Sequence, residues 1–334
     1  MPKVSILVPI YNVERYLEQC LDSCINQSLA DIEIICINDG STDNCKHIID
    51  DYASKDPRIK AIHKHNTGYG HSMNTGLDAA TGEYIAIVES DDFAELEMCE
   101  ELYNLAKLHD ADLVKAEHFE FRQDGHDRIK TNCLPLEHMG KVLNIERDTF
   151  LLDYLSFIWD SLYKKEFLTQ NKIHFHETPG ASYQDLSFEF KVFCHSRRLV
   201  FSNQAYLNYR LDNANSSINS KAKVYCICDE YELLGRYFKE NPSIKKLANT
   251  RKLLNQYKGY CWNLGRIDQQ FHHEFVQHFS KTFKQLRDEN ELSDEFYQQI
   301  NGQSLRFFGK SAINHTLVNI LIHFPSLYLQ IYYL

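Results

Sequence analysis

Asp91 and Asp92 stand side by side directly after the apolar run from Tyr84 to Val88. Two carboxylates at the end of a buried strand repel one another and lose hydration unless a cation or hydrogen-bond donors compensate. Asn38-Asp39-Gly40-Ser41-Thr42-Asp43 follows another β-branched run, Ile32 to Ile37. Taken locally it also reads as a turn and helix cap, since Asp, Ser and Thr accept hydrogen bonds from the first amides of a helix. Hard divalent ions such as Mg²⁺ or Mn²⁺ are held by one or two carboxylates together with substrate phosphate oxygens. An acidic edge of this kind therefore suits a metal–diphosphate pair.

The segments that carry these acids alternate in period. Val4 to Val8, Ile32 to Ile37, Ile59 to His63 and Tyr84 to Val88 predict strands. Val13 to Gln27, the stretch bearing Ile48, Ile49 and Tyr52, Ser72 to Ala80, and Glu95 to Leu108 predict helices. Such alternation implies right-handed crossovers and a mostly parallel sheet covered on both faces. Ligands of an open parallel sheet bind outside the carboxyl ends of its strands, which is where the acids fall. The turn after the first strand, Pro9-Ile10-Tyr11-Asn12, has no glycine, and GxxxxGK[ST] is absent, which argues against a dinucleotide-binding domain and a P-loop NTPase. Alternation loosens from about residue 118 and turns helical beyond Lys221, with Val224 to Phe238, Ile244 to Leu264, Phe271 to Leu286 and Leu292 to Ile300 as the expected helices. The expected regions are 1–117, 118–220 and 221–334.

Five blocks occur in order over the first 92 residues. They are Val4-Ser5-Ile6-Leu7-Val8-Pro9-Ile10-Tyr11-Asn12, Ile37-Asn38-Asp39-Gly40-Ser41-Thr42-Asp43, Asn66-Thr67-Gly68 with Asn74-Thr75-Gly76-Leu77, Gly82-Glu83-Tyr84-Ile85 and Glu89-Ser90-Asp91-Asp92. Together they resemble the inverting family 2 glycosyltransferases of bacterial surface-polysaccharide synthesis. Trp159 to Leu168 and Gln184-Asp185 resemble the acceptor-side half, so the likeness covers roughly residues 1–217. It implies a GT-A fold, a Rossmann-like α/β sheet flanked by helices, with a nucleotide-sugar-binding half (1–117), an acceptor-side half (118–220) and a C-terminal helical region (221–334). The implied activity moves a sugar from a nucleotide-sugar donor, most often a UDP-sugar, to a hydroxyl of a glycan or lipid-linked saccharide, with Mn²⁺ or Mg²⁺ as cofactor. The alternatives are a sugar-phosphate nucleotidyltransferase, which would release pyrophosphate, and a non-catalytic binding protein of the same fold.

By position, the resemblance places Pro9, Tyr11, Asn12, Asn66 and Gly68 around the nucleotide sugar, with Asp39 on the base. It makes Asp92 the direct metal contact and Asp91 a ribose, sugar or metal contact. Arg210 becomes a contact to the diphosphate, and Asp185 the base that deprotonates the acceptor. Trp159 and Tyr183 are acceptor-site expectations. Locally, Asp185 also reads as a helix N-cap, Trp159 as core, Arg210 as a surface ion pair, and Gly68, Gly70 and Gly76 as turn residues. His174 and His176 share one strand face without further ligands nearby. Two positions depart from the family pattern: Met73 stands where relatives often have a basic residue, leaving Lys64, His71 or Arg210 to compensate, and Gln184 stands where Glu is common.

The net charge of −10 argues against a nucleic-acid partner. Ten cysteines lie mostly in apolar or amphipathic segments without a zinc-site spacing, which suits reduced thiols in a cytoplasmic protein. The first residues enter a strand at once, without a secretory signal. From Ser311 to Leu334 no charged residue occurs. There Leu317, Ile320, Leu321 and Phe324 make an apolar stripe, to be covered by the core, by a second copy or by the inner face of the membrane.

Overall fold

Every residue of β1 (Val4–Ile10) and of β2 (Ile32–Asn38) is buried, as expected for parallel strands covered by helices on both faces. The structure, a computed structural model, describes residues 1–122, 127–154, 157–213, 223–300, 314–326 and 328. By internal contacts the chain divides into two units, Met1–Ser216 and Ser217–Leu334.

In the first unit β3 (Ile59–His63), β2, β1 and β4 (Tyr84–Ile87) lie side by side and parallel. The crossovers are α1 (Glu14–Ile25), α2 (Cys45–Lys55) and α3 (Tyr69–Ala79). Beyond β4 the sheet is mixed. β9 (Ser161–Lys164) lies between β4 and β6 (Leu113–Arg122) and is antiparallel to both, and β10 (Leu199–Arg210) then pairs with β6 in parallel. β4 and β6 therefore point the same way, and the carboxyl ends of β1, β2, β4, β6 and β10 share one edge. The short β5 (Phe93–Ala94) pairs with β10, while β7 (Asp127–Lys130) and β8 (Val142–Leu143) add to β6 and β10.

Two helix boundaries differ from the sequence expectation. α4 (Met98–His109) starts three residues late because Phe93 and Ala94 are drawn into the sheet and the Glu95 amide donates to Tyr206 O (2.7 Å). α3 starts three residues early because Gly68 takes a positive φ of 98° and lets the helix begin at Tyr69. α5 (Lys165–Gln170) and α6 (Gln184–His195) complete the unit.

The second unit is helical: α7 (Cys226–Glu240), α8 (Pro242–Arg266), α9 (His272–Asp288), residues 294–300 and a last helix, Asn314–His323. Aromatic rings fill its centre, Tyr260 meeting Phe275 and Phe279 at 5.7 and 5.1 Å between centroids. Of the uncharged tail, Val318, Leu321, Ile322 and Tyr328 are buried, Ile322 O accepts from Ser280 Oγ (3.1 Å), and Tyr328 reaches Tyr257 (2.9 Å). Phe324 points outward at 62% exposure. The Leu317 side chain and residues 311–313, 327 and 329–334 lie outside the described residues. Among those described, no helix is long and apolar enough to cross a membrane.

Candidate active site

The ends of β1 and β2 are laced together by short polar contacts. Asn12, at φ 52°, donates its amide to Ser41 Oγ (3.1 Å) and accepts from the Thr42 amide (2.8 Å). Asp43 ties the starts of two helices, accepting from the Cys45 amide (3.1 Å) and from the Glu14 amide (3.0 Å), while the capping position of α2 is Asn44, which makes no side-chain cap bond. Pro9 is buried beneath this edge, whereas Tyr11 (49%) and Asn12 are exposed on it. Asp39 does something other than capping. Its Oδ1 accepts from Lys64 Nζ and the Thr67 amide (2.9 Å), and its Oδ2 from the Gly68 amide (3.0 Å). With 5% exposure, it holds the loop bearing exposed Asn66 against the end of β2.

α3 acts as a strap for the segment that leads to α6. Asn74 accepts from the Phe175 amide (2.9 Å) and donates to Phe175 O (3.1 Å) and Glu177 Oε1 (2.8 Å). A Cβ on Gly70 would lie 1.9 Å from His176 O, and one on Gly68 2.4 Å from Thr178 O. These glycines therefore permit a close backbone approach, sealed by the Tyr69 amide donating to Gly180 O (2.9 Å). Met73 is fully buried, which accounts for an apolar residue at a position where a basic one was expected. Gln184 has a comparable reason: its amide nitrogen donates to Thr178 Oγ1 (2.8 Å) and Gly180 O (3.2 Å), which an ionised Glu could not do.

Tyr183, held at φ 62°, occupies the position before α6 without a side-chain cap bond, and Asp185 lies in the first turn rather than at the cap. Asp185 is half-buried, accepts only weakly placed help from the adjacent Leu186 amide (3.0 Å), and burial pushes its carboxyl upward. Tyr69, Glu89 and Tyr209 all lie within its electrostatic reach.

Glu89, Asp91 and Asp92 gather at the end of β4. Burial, reinforced by Asp91 and Asp185, raises Glu89 to about 8 despite a hydrogen bond from the Tyr69 hydroxyl (2.5 Å). Asp92 is 2% exposed and pushed well up by burial and by Asp91, although its Oδ1 accepts from the Arg210 amide (2.7 Å). Its Oδ2 is buried without a hydrogen-bond partner. Asp91 is half-buried and accepts from Asn213 Nδ2 (2.7 Å). By accessibility Asp91 is the more open carboxylate and Asp92 the enclosed one. Together they fit a divalent cation, since one half-exposed acid and one orphaned buried oxygen beside Glu89 form a charge excess that a hard cation relieves. Among the described residues no group of three or more His, Cys, Asp or Glu is placed to hold a metal ion, so a cation here would rest on two carboxylates and on oxygens of a bound substrate.

Two of the expected contacts are enclosed. The Arg210 side chain is 1% exposed, donating to Asp91 O (2.8 Å) and Gln19 Oε1 (2.6 Å) and covering Tyr16 at 4.7 Å. It fixes the loop of the two acids from behind. The neighbouring Asn215 to Ser217 lies outside the described residues. Trp159 is 6% exposed and packs against both Phe157 (4.4 Å) and Tyr209 (5.0 Å), which also meet each other (5.6 Å), with His118 at 4.8 Å. Half-buried rings beside the acids are Tyr69, whose hydroxyl donates to Glu89, and Tyr209, against which Phe157 packs at 5.6 Å; sequence reasoning had selected none of the three. Only the position of Tyr209 beside Arg210 hinted at it.

A buried ion network lies beneath this wall. Lys115 Nζ donates to Asp160 Oδ1 (2.7 Å), Glu189 Oε1 (2.6 Å) and Phe157 O (2.6 Å), and the three charged side chains are 0–3% exposed. Burial alone would strip the ammonium of its proton, but the two acids outweigh it and hold Lys115 charged, while burial raises Glu189 to about 8.

A mixed sheet whose parallel strands end in polar loops, with acids at the end of β4 and an acid on α6 within electrostatic reach of them, defines an α/β domain with an acidic site at the carboxyl edge of its sheet. Residues 5–180 match the model of glycosyl transferase family 2, and the chain belongs to that family. It is 32% identical over 264 residues to the putative glycosyltransferase EpsH of Bacillus subtilis, covering 77% of this chain and 74% of EpsH. To the uncharacterized glycosyltransferase EpsJ of the same organism it is 34% identical over 222 residues, 65% of this chain and 63% of EpsJ, so the match spans less than two thirds of that relative. In fold it is similar to Staphylococcus aureus TarS 1–349 in complex with UDP-GlcNAc (TM-score 0.68, 16% identity, 96% of this chain and 87% of that one). The mannosyltransferase PcManGT of Pyrobaculum calidifontis, solved with GDP-Man and Mn²⁺, is more distant (TM-score 0.50, 14% identity, 92% and 88%).

Proposed function

We propose that the protein is an inverting glycosyltransferase that moves a sugar from a nucleotide sugar, of the UDP type, to a hydroxyl of a bacterial glycan or lipid-linked saccharide. The observation that carries this reading is the gathering of two acidic sets at one sheet edge: Asp91 and Asp92 after β4, and Asp185 on α6, joined electrostatically through Glu89. Pro9, Tyr11, Asn12, Asp39, Asn66 and Gly68 would frame the nucleoside end. Asp91, with Asp92 behind it, would hold Mn²⁺ or Mg²⁺, which when bound offsets the charge of the departing nucleoside diphosphate.

Asp185 takes the acceptor proton. Its upward shift from burial suits a base working near neutrality better than an ordinary carboxylate would. Attack on the anomeric carbon from the face opposite the diphosphate is a single displacement, so the configuration inverts. Tyr209 and Phe157, with Tyr183 at the head of α6, would orient the acceptor, and the stacking of Trp159 stiffens that wall. UDP-GlcNAc bound to the TarS structure and GDP-Man bound to PcManGT support a nucleotide-sugar donor. The test is a donor screen that follows UDP or GDP release from a panel of nucleotide sugars, with and without Mn²⁺, against glycan and lipid-linked acceptors. Release of nucleoside diphosphate is expected; pyrophosphate release, or no release from any donor, would overturn the reading.

A further inference from the structure

We propose that Lys115 is a positioning residue for the base, tying the helix that carries Asp185 to the aromatic wall through one buried ammonium; this rests on the glycosyl-transfer reading above. Asp185 and Glu189 are four residues apart on α6, so they lie on one face of the helix, one turn from each other. Lys115 Nζ grips Glu189 Oε1 at 2.6 Å. The same nitrogen donates to Phe157 O at 2.6 Å and to Asp160 Oδ1 at 2.7 Å, the two ends of the segment whose Trp159 stacks on Tyr209. One atom therefore fixes both the seat of the base and the seat of the rings beside it.

The location argues for position rather than bulk stability. Arginine is the usual partner where planar bidentate pairing is wanted, whereas an ammonium is a compact point donor able to satisfy three acceptors in different directions. Here the donor stands on β6, and its three acceptors come from two further elements, the segment entering β9 and α6. The Ser161 hydroxyl, at 3.4 Å from Nζ and 3.0 Å from Asp160 Oδ1, closes the remaining side. Besides this ammonium, the start of α6 is held by Gln184, by the 176–180 strap and by Phe188, whose ring stacks on Phe175 (3.9 Å between centroids).

Glu189→Leu is the informative variant, because it leaves Lys115 and Asp160 as a balanced pair and cuts only the tether to α6. Glu189→Gln keeps an oxygen acceptor at the same place. Hydrogen exchange at the amides of residues 186–188 is expected to quicken in Glu189→Leu and to stay near wild type in Glu189→Gln, with α1 unchanged in both. UDP titrated in the presence of Mn²⁺ should bind both variants within about twofold of wild type, while kcat for UDP release falls about 10²-fold in Glu189→Leu, the scale of a 1 Å misplacement, and recovers most of that in Glu189→Gln. Unchanged exchange in Glu189→Leu, or equal loss in the two variants, would overturn the proposal. If wild-type protein released no nucleotide from any donor, the glycosyl-transfer reading would fall, and the exchange comparison alone would still decide whether Lys115 seats α6.

Discussion

At the end of β2, Asp39 has both carboxylate oxygens engaged by donors of a single nearby loop; at the end of β4, Asp92 keeps one oxygen buried with no partner. The same contrast separates two buried glutamates. Glu33 is driven up by burial but is overcome by Lys60, Ser5 and Thr81, and ends at about 2. Glu189 shares one ammonium with Asp160 and ends at about 8. Around β2 the polar groups thus form a satisfied scaffold. The end of β4 and α6 retain uncompensated acid. Satisfied groups give a fixed frame for a ligand to be read against, whereas an unsatisfied acid is available to take a proton or a cation.

That contrast is broken most severely at the base. Asp185→Asn should lower nucleoside diphosphate release by about 10²–10⁴-fold, the range of general-base contributions, with UDP affinity unchanged; an equally active variant would place the base elsewhere. Next, Asp91→Asn should abolish the Mn²⁺-dependent gain in UDP affinity measured by calorimetry. Asp92→Ala should instead act chiefly by removing the acceptor for the Arg210 amide and be read first as a lower melting temperature. Lys115→Met leaves Asp160 and Glu189 buried without their cation, and a loss of about 3–5 kcal/mol in chemical denaturation is expected.

A finer effect is the opposite pH signature of the two sides. Glu189 and Glu89 hold a proton in the folded state up to about 8, but release it at about 4.5 when unfolded. The unfolded chain therefore binds fewer protons across that window, and their contribution to stability declines as pH rises from about 4.5 to 8. Glu33, at about 2 when folded, contributes stability above 4.5 that is lost as pH falls toward 2. Glu189→Gln should flatten the decline above pH 5 and leave the acid limb intact, as followed by melting temperature against pH. A profile unchanged by that substitution would remove Glu189 from the list of titrating groups.

Gly70→Ala sharpens the role of the strap. A methyl group 1.9 Å from His176 O forces the 176–180 segment away from α3, so exchange should quicken around Tyr183 and Gln184 while the β1 and β2 ends remain protected. No change around Tyr183 would show that the strap does not govern the approach to α6.

How legible these features were follows from how far apart their partners lie in the chain. That the strand ends carry turn residues, Asn12 and the run from Asn38 to Asp43, is announced by residue type, whereas the lacing of Asn12 to Ser41 and Thr42 spans 29 and 30 positions. Asp92 meets Arg210 across 118 positions, Asn74 meets Phe175 across 101, and Lys115 meets Glu189 across 74. Nothing in the local pattern around Lys115, a lone cation in the apolar run from Leu113 to Ala116, says that two acids await it. The enclosure of Arg210 was hidden for the same reason: a cation near a phosphate site is drawn outward by chemistry, but here the backbone of Asp91 and the ring of Tyr16 satisfy it inside.

The sequence by itself determined the alternation of strands and helices in the first unit, the helical second one, and the acids at strand ends, because period and turn chemistry are local properties of the chain. Tertiary structure decided which of two adjacent acids is open, which aromatic rings face the site, and what seats α6, because burial and pairing depend on segments brought together only when β9 inserts between β4 and β6.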